Sequence, residues 1–245
     1  MGFQPLPDSV SPSEVTLDPT VLDDKPEIAS AVARVIGHWS QIDLQLVFVV
    51  AGFLDADFRV AADMLNAIQN SGARRDAIDA AARRALSDKP DDLRLFRAVV
   101  QCVSSTRSMR NAYAHWLWGK TPKLKDKLVL VEPNATAAVG AELISLLIRP
   151  GQGISGKDAR ASLPAATVEE VMSRQRERYH IVGAADVERD IRDAAAASSW
   201  MSGLLKVLVW GRAQPDVAAV ARPQLLAVHQ ILEAYDKLSP TQNSP

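Results

Sequence analysis

The chain has a single cysteine, Cys102, only 5% aromatic residues, and no excess of either charge, with a formal net charge of −1. Each shortage excludes something. One cysteine on an apolar helical stripe cannot build a disulfide framework or a cysteine-rich metal site, and it reads as a small buried hydrophobe. Near-neutral charge provides no overall cationic field to gather nucleic acid, so any such binding has to come from a local patch. No run of 18 apolar residues is present, and Met1 to Lys25 carries acids and prolines rather than a basic end followed by an apolar run. Neither a membrane span nor a secretory leader is expected, and a cytoplasmic location follows by default. His180 and His229 have no acidic or cysteine partner at metal-ligand spacing, so neither a metal nor another cofactor is expected. No internal repeat is visible.

With 245 residues, 47% of them hydrophobic and 23% charged, the chain can bury a sizeable core. Residues 1–26, rich in Pro, Ser and Asp, read as a flexible N-terminal arm. Residues 27–238 read as a single, mainly α domain. Glu27 to Leu54 places Val32, Ile36, Trp39, Leu46, Val50 and Leu54 on one helical face, with Asp43 in the middle of it. Asp55 to Gln69 and Ser71 to Leu86 continue as helices. Arg74, Arg75, Arg83 and Arg84, with Asp76 and Asp79 among them, read more readily as a solvated face than as a groove for RNA. After the turn at Asp88 to Asp91, a long helix is expected from Asp91 to Trp118.

Residues 119–166 change character. Lys127 to Pro133 and Leu143 to Ile148 suggest a small β-hairpin, with a short helix over Ala135 to Leu147 as the alternative. Gly151 to Lys157 is glycine-rich but lacks the spacing of a phosphate-binding loop, and Asp158 stands where a hydroxyl is needed. Further helices are expected in residues 167–238: one opened by Thr167-Val-Glu-Glu, a long one over Ala185 to Val209, and a last one over Leu225 to Leu238. Residues 239–245 read as a disordered tail.

The densest chemistry lies in Arg107 to Trp118, R-S-M-R-N-A-Y-A-H-W-L-W. At about 100° per residue, Leu95, Val99, Cys102, Val103, Thr106, Met109, Tyr113 and Leu117 share one apolar stripe. Arg110 projects from the middle of that stripe, a position that demands a carboxylate, a phosphate or a wet interface. Asp43 is the acid best suited to meet it, either as a purely architectural bridge or as the group that aims the arginine at phosphate. Ser104, Arg107, Asn111, His115 and Trp118 form a polar stripe alongside, so the two stripes meet at one potential anion site.

Arg110-Asn111-Ala112-Tyr113-Ala114-His115 resembles the R-N-x-x-x-H signature of HEPN domains, the helical modules of many bacterial toxin, defence and RNA-processing nucleases. The resemblance covers roughly Ile28 to Trp118, with the helix near Trp200 as a further candidate, and leaves about half of the chain outside it. It implies an up-and-down helical bundle, here with a small β-hairpin insertion and additional C-terminal helices. It also implies a homodimer with the motifs facing across a two-fold interface, and metal-independent cleavage of RNA in a toxin or defence context. HEPN toxins paired with a nucleotidyltransferase antitoxin commonly carry a tyrosine two residues after the histidine, and here that position is Leu117.

The residues suit such a reaction on their own chemistry. When the RNA 2′-hydroxyl attacks the adjacent phosphate, the reaction needs a proton acceptor, a proton donor and positive charge at phosphorus. An imidazole near neutral pH serves as acid or base, and a guanidinium holds two phosphoryl oxygens. His115 and Arg110 are the candidates for those roles. Asn111 would fix the imidazole or bind phosphate, and Asp43 would support Arg110. Arg107 and Trp118 are weaker candidates, for an extra substrate contact and for base stacking. One suitable histidine per chain points to a second protomer for a full acid/base pair. The alternative from another class is a non-catalytic HEPN-like module that binds a nucleotide or a protein through the same residues. A third reading is a toxin held silent by an antitoxin or other defence-system partner.

Overall fold

The computed structural model describes residues 3–147 and 164–238. The fold is mainly α with a small antiparallel sheet. In place of the single domain expected for residues 27–238, it forms two compact units. One contains residues Met1–Ile36 and Met109–Ile191, and the other Gly37–Ser108 and Arg192–Pro245.

Among the described residues, all the strands belong to the first unit. They are β1 (Gln4–Pro5), β2 (Thr16–Leu17), β3 (Leu117–Lys120), β4 (Lys127–Val131) and β5 (Tyr179–Gly183), in the order β1-β5-β4-β3-β2. Leu128 to Val131 of β4 are fully buried, as a central strand covered on both faces requires. Val129, Val131, Tyr179 and Ile181 line one face and pack against Leu6, Val10, Val15 and Ala135. Strand alternation puts Leu130 on the other face, in register with Trp118 of β3 and His180 of β5.

Within the arm expected over residues 1–26, residues 3–17 are therefore not flexible but built into the sheet. Gln4 pairs with Ile181 and Thr16 with Lys120, so this segment supplies both edge strands of the sheet. Between them Leu6 and Val10 are buried, and Ser11 and Glu14 form a reciprocal capping box around the turn Pro12–Glu14. The apolar residues are too sparse to show a period, but Leu6, Val10 and Val15 fill places in the core. Very short edges also limit the unpaired backbone that a sheet exposes.

The hairpin expected from Lys127–Pro133 and Leu143–Ile148 is replaced by the helical alternative, α6 (Pro133–Leu147). Pro133 starts it where no backbone N–H is needed, and four alanines follow among good helix formers. The long helix expected over Asp91–Trp118 is divided. α4 (Pro90–Ser105) ends at Thr106, α5 (Arg107–His115) follows, and Leu117 and Trp118 have left the helix for β3. The Ser105 and Thr106 hydroxyls donate back to the carbonyls of Cys102 and Val103, at 2.7 and 2.9 Å, and this local bonding competes with the helical ladder. The first unit also contains the start of α1 (Pro26–Leu54), α7 (Ala165–Ser173) and the first turns of α8 (Ala184–Leu205).

The second unit is helical among its described residues. It comprises the rest of α1, then α2 (Phe58–Ala67), α3 (Ser71–Ala85) and α4. The end of α8 follows, running through a π-turn (Lys206–Trp210) into α9 (Gly211–Ala213), α10 (Pro215–Leu226) and α11 (His229–Lys237). Leu65, Leu95, Phe96, Met201, Leu204 and Ile231 are fully buried in it. Arg97 clamps α4 to α3 through two hydrogen bonds to Asp79, at 2.9 and 3.1 Å. Arg94 lies 3.9 Å from the centre of the Tyr235 ring of α11. Arg75 and Arg83 of α3 sit beside Asp76 and Asp79, the solvated arrangement expected of that face. By length and composition α1 is apolar enough to cross a membrane, and 44% of its most apolar window is buried. The glycine-rich stretch 151–157 and the tail 239–245 lie outside the described residues.

Val10 is 0% exposed in the sheet core. Val10→Asp should therefore lower stability by about 3 kcal/mol or more, because it buries a carboxylate without a partner. Urea unfolding at neutral pH measures this, and an unchanged midpoint would return the segment to the status of a loose arm.

Candidate functional site

Helix α5 has two sharply different sides. Met109, Ala112 and Tyr113 are buried, whereas Arg107, Ser108, Asn111, Ala114 and His115 are exposed and Arg110 is half-buried. At about 100° per residue the exposed groups fall within one half of the wheel. The motif residues Arg110, Asn111 and His115 thus share a single solvent-facing surface, and Arg107 lies one turn earlier on the same helix.

Arg110 stands at the edge of the apolar stripe rather than in its middle. Its Nη1 donates to Asn111 Oδ1 at 3.2 Å. No carboxylate meets it among the described residues of its unit. By contrast, every other described arginine of that unit (Arg34, Arg174, Arg176, Arg178 and Arg189) has a carboxylate within 4 Å. An amide oxygen orients a guanidinium without neutralising it, so this face keeps a local positive charge in a chain whose net charge is −1. The His115 imidazole makes no hydrogen bond or ion pair among the described residues and is open to solvent. Asp43 lies half-buried on α1 in the other unit. Trp118 sits on β3, with its ring stacked on Tyr113 at 6.1 Å and 13°, so one face of the indole is already covered.

Behind the motif is a polar network absent from the sequence reading. The Tyr113 hydroxyl donates to Asp190 Oδ2 at 2.5 Å, and Asp190 is 2% exposed. Arg189 reaches Asp186 at 3.4 Å and Asp190 at 3.6 Å. Asp186 also accepts from the Gly183 backbone N–H at 3.0 Å and from Gln4 Nε2 at 3.4 Å. Burial pushes the Tyr113 phenol well above its ordinary range, and the Asp190 carboxylate adds to the shift. A signal was present in the sequence: Asp190 falls within about 60° of Val187 and Ala194 on the inward face of α8, a costly place for an acid without a donor.

Aromatic rings adjoin the end of α5. Phe3 packs edge-on against Tyr113 at 5.6 Å and tilted against Trp116 at 5.5 Å, and Trp116 lies 5.1 Å from His180. Among the described residues, no cluster of three or more His, Cys, Asp or Glu side chains could hold a metal ion. No family model, curated protein or solved structure matches the chain.

Tyr113→Phe deprives Asp190 of its phenolic donor and should cost about 1–3 kcal/mol in urea unfolding at pH 8. A raised phenol pKa stabilises the fold fully below pH ~10, the ordinary tyrosine value, and this contribution is lost as the pH climbs above it. Wild-type stability should therefore decline between pH 9 and 11 more steeply than that of Tyr113→Phe, and parallel profiles would show that this bond contributes nothing.

Proposed function

We propose that the protein is a metal-independent endoribonuclease of HEPN type, acting in the cytoplasm in a toxin or defence context. The observation that carries this reading is an arginine with no carboxylate partner among the described residues of its unit, beside an amide and an open imidazole on one anchored helix. Arg110 receives the phosphoryl oxygens in its planar fork and offsets the charge that builds at phosphorus. Asn111 holds the guanidinium in plane. His115 accepts the 2′-hydroxyl proton or donates one to the departing 5′-oxygen. The 2′-oxygen bonds to phosphorus, the P–O5′ bond breaks, and the products are a 2′,3′-cyclic phosphate and a free 5′-hydroxyl. The second acid/base role falls to His115 of a second copy in a homodimer, with an antitoxin or defence-system partner as regulator. Arg107 adds a phosphate contact one turn away.

One observation favours the other reading, a non-catalytic HEPN-like module that binds a nucleotide or a protein. His115 has no hydrogen-bond partner among the described residues to fix its tautomer, which a general base ordinarily has.

Cleavage of single-stranded RNA in the presence of a chelator decides between them. Wild-type protein should leave 2′,3′-cyclic phosphate ends. His115→Ala and Arg110→Ala should each slow the reaction by about 10²- to 10⁴-fold while their urea midpoints stay within error of wild type. Wild-type protein that binds RNA tightly and never cuts it belongs to the module instead.

A further inference from the structure

His180 is a half-buried titratable group that the proposed reaction does not use. Its side chain is 17% exposed, and both ring nitrogens are shielded from solvent with no hydrogen-bond partner among the described residues. Glu132 Oε1 comes only to 3.6 Å from Nε2, outside hydrogen-bond range, and Glu132 is also engaged by Arg178 at 3.4 Å. The imidazole instead lies among rings, with Trp116 at 5.1 Å and Phe3 at 6.1 Å. Two ring nitrogens shielded from water without a hydrogen bond are unfavourable and call for a partner. The group beside it, the Phe3 ring, is flat and apolar and cannot supply one.

We infer that Tyr113, Trp116 and His180 form a nucleobase-binding box in which the Phe3 ring occupies the place of an RNA base. A base has the flat shape that Phe3 presents to these rings, and it adds the edge donors and acceptors that His180 lacks. Stacking on Trp116 supplies affinity, and the imidazole edge distinguishes one base from another. Position favours the same ligand. Trp116 directly follows His115, with Cα atoms about 3.8 Å apart, so a phosphate at the imidazole and a base at the indole belong to neighbouring parts of one strand. The inference rests on the nuclease reading for the identity of the ligand. The box itself is defined by ring geometry and does not depend on Arg110, Asn111 or His115.

The test uses the full chain carrying His115→Ala, which prevents cleavage, and fluorescein-labelled single-stranded RNA 8-mers of uridine or adenosine, with an abasic oligomer of the same length as control. Phe3→Ala removes the resident ring and should tighten binding of at least one of the two RNAs about 5-fold or more. Trp116→Ala should weaken it by about 5- to 100-fold. Trp116→Phe keeps a ring and should restore affinity to within about threefold of the parent, which separates stacking from misfolding. His180→Phe should collapse the difference in affinity between the two RNAs. The abasic oligomer should respond to none of these changes. If Phe3→Ala and Trp116→Ala leave RNA affinity unchanged, or shift base-bearing and abasic oligomers alike, the box is overturned. Cleavage by the unmodified chain would then leave the nuclease reading intact. A stacking response in a chain that never cleaves would sustain the box and remove the nuclease.

Discussion

A single hydrogen bond in a dry interior sets which way the motif helix faces. Tyr113 donates to Asp190 at 2.5 Å, and the carboxylate has little access to water. Turning α5 about its axis would leave a buried acid without that donor, a loss comparable to a sizeable share of a domain's net stability. With Met109 and Ala112 buried on the same side, the bond holds Tyr113 inward, and helical geometry then sends Asn111 and His115 outward. The short length of α5 sharpens the effect. It runs from Arg107 to His115, bounded by a break at Thr106 and by a strand that begins at Leu117, so both ends are fixed by neighbouring structure. The sheet face carrying Trp118, Leu130 and His180 belongs to the same unit as the buried side of α5 and the rings that adjoin its end.

The electrostatics follow from that anchoring. A chain with a net charge of −1 does not draw anions by its overall field. The sheet-bearing unit neutralises its other described arginines one by one, with partners such as Glu188, Glu132 and Asp186. Arg110 is treated differently. It is given an amide oxygen, which fixes its direction without offsetting its charge.

What could be read from the sequence divides along local and non-local lines. The span of α1 was legible almost to the residue because its apolar period persists over many turns. β4 was legible from five residues, Lys127–Val131, because β-branched and leucine side chains alternate there without a polar break. Its partners were not. β1 and β2 have two residues each, and β3 continues the apolar phase of a helix through Leu117, so only pairing with a strand ten residues later ends that helix. β5 was hidden behind the charged run Arg174–Arg178, which drew attention away from Tyr179–Gly183. The cationic face was legible because Arg110, Asn111 and His115 lie within six residues. Its anchor was not, since Tyr113 and Asp190 are separated by 77 positions.

The central claim is that a phosphate meets the outward side of α5, and the His115 ring is the probe nearest that event. The most direct measurement is the NMR spectrum of the His115 imidazole as a non-cleavable 2′-O-methyl RNA oligonucleotide is added. The account predicts a saturable shift of the His115 ring resonances that disappears in Arg110→Ala. Resonances of His115 that remain in place when the oligonucleotide is bound to saturation would contradict it.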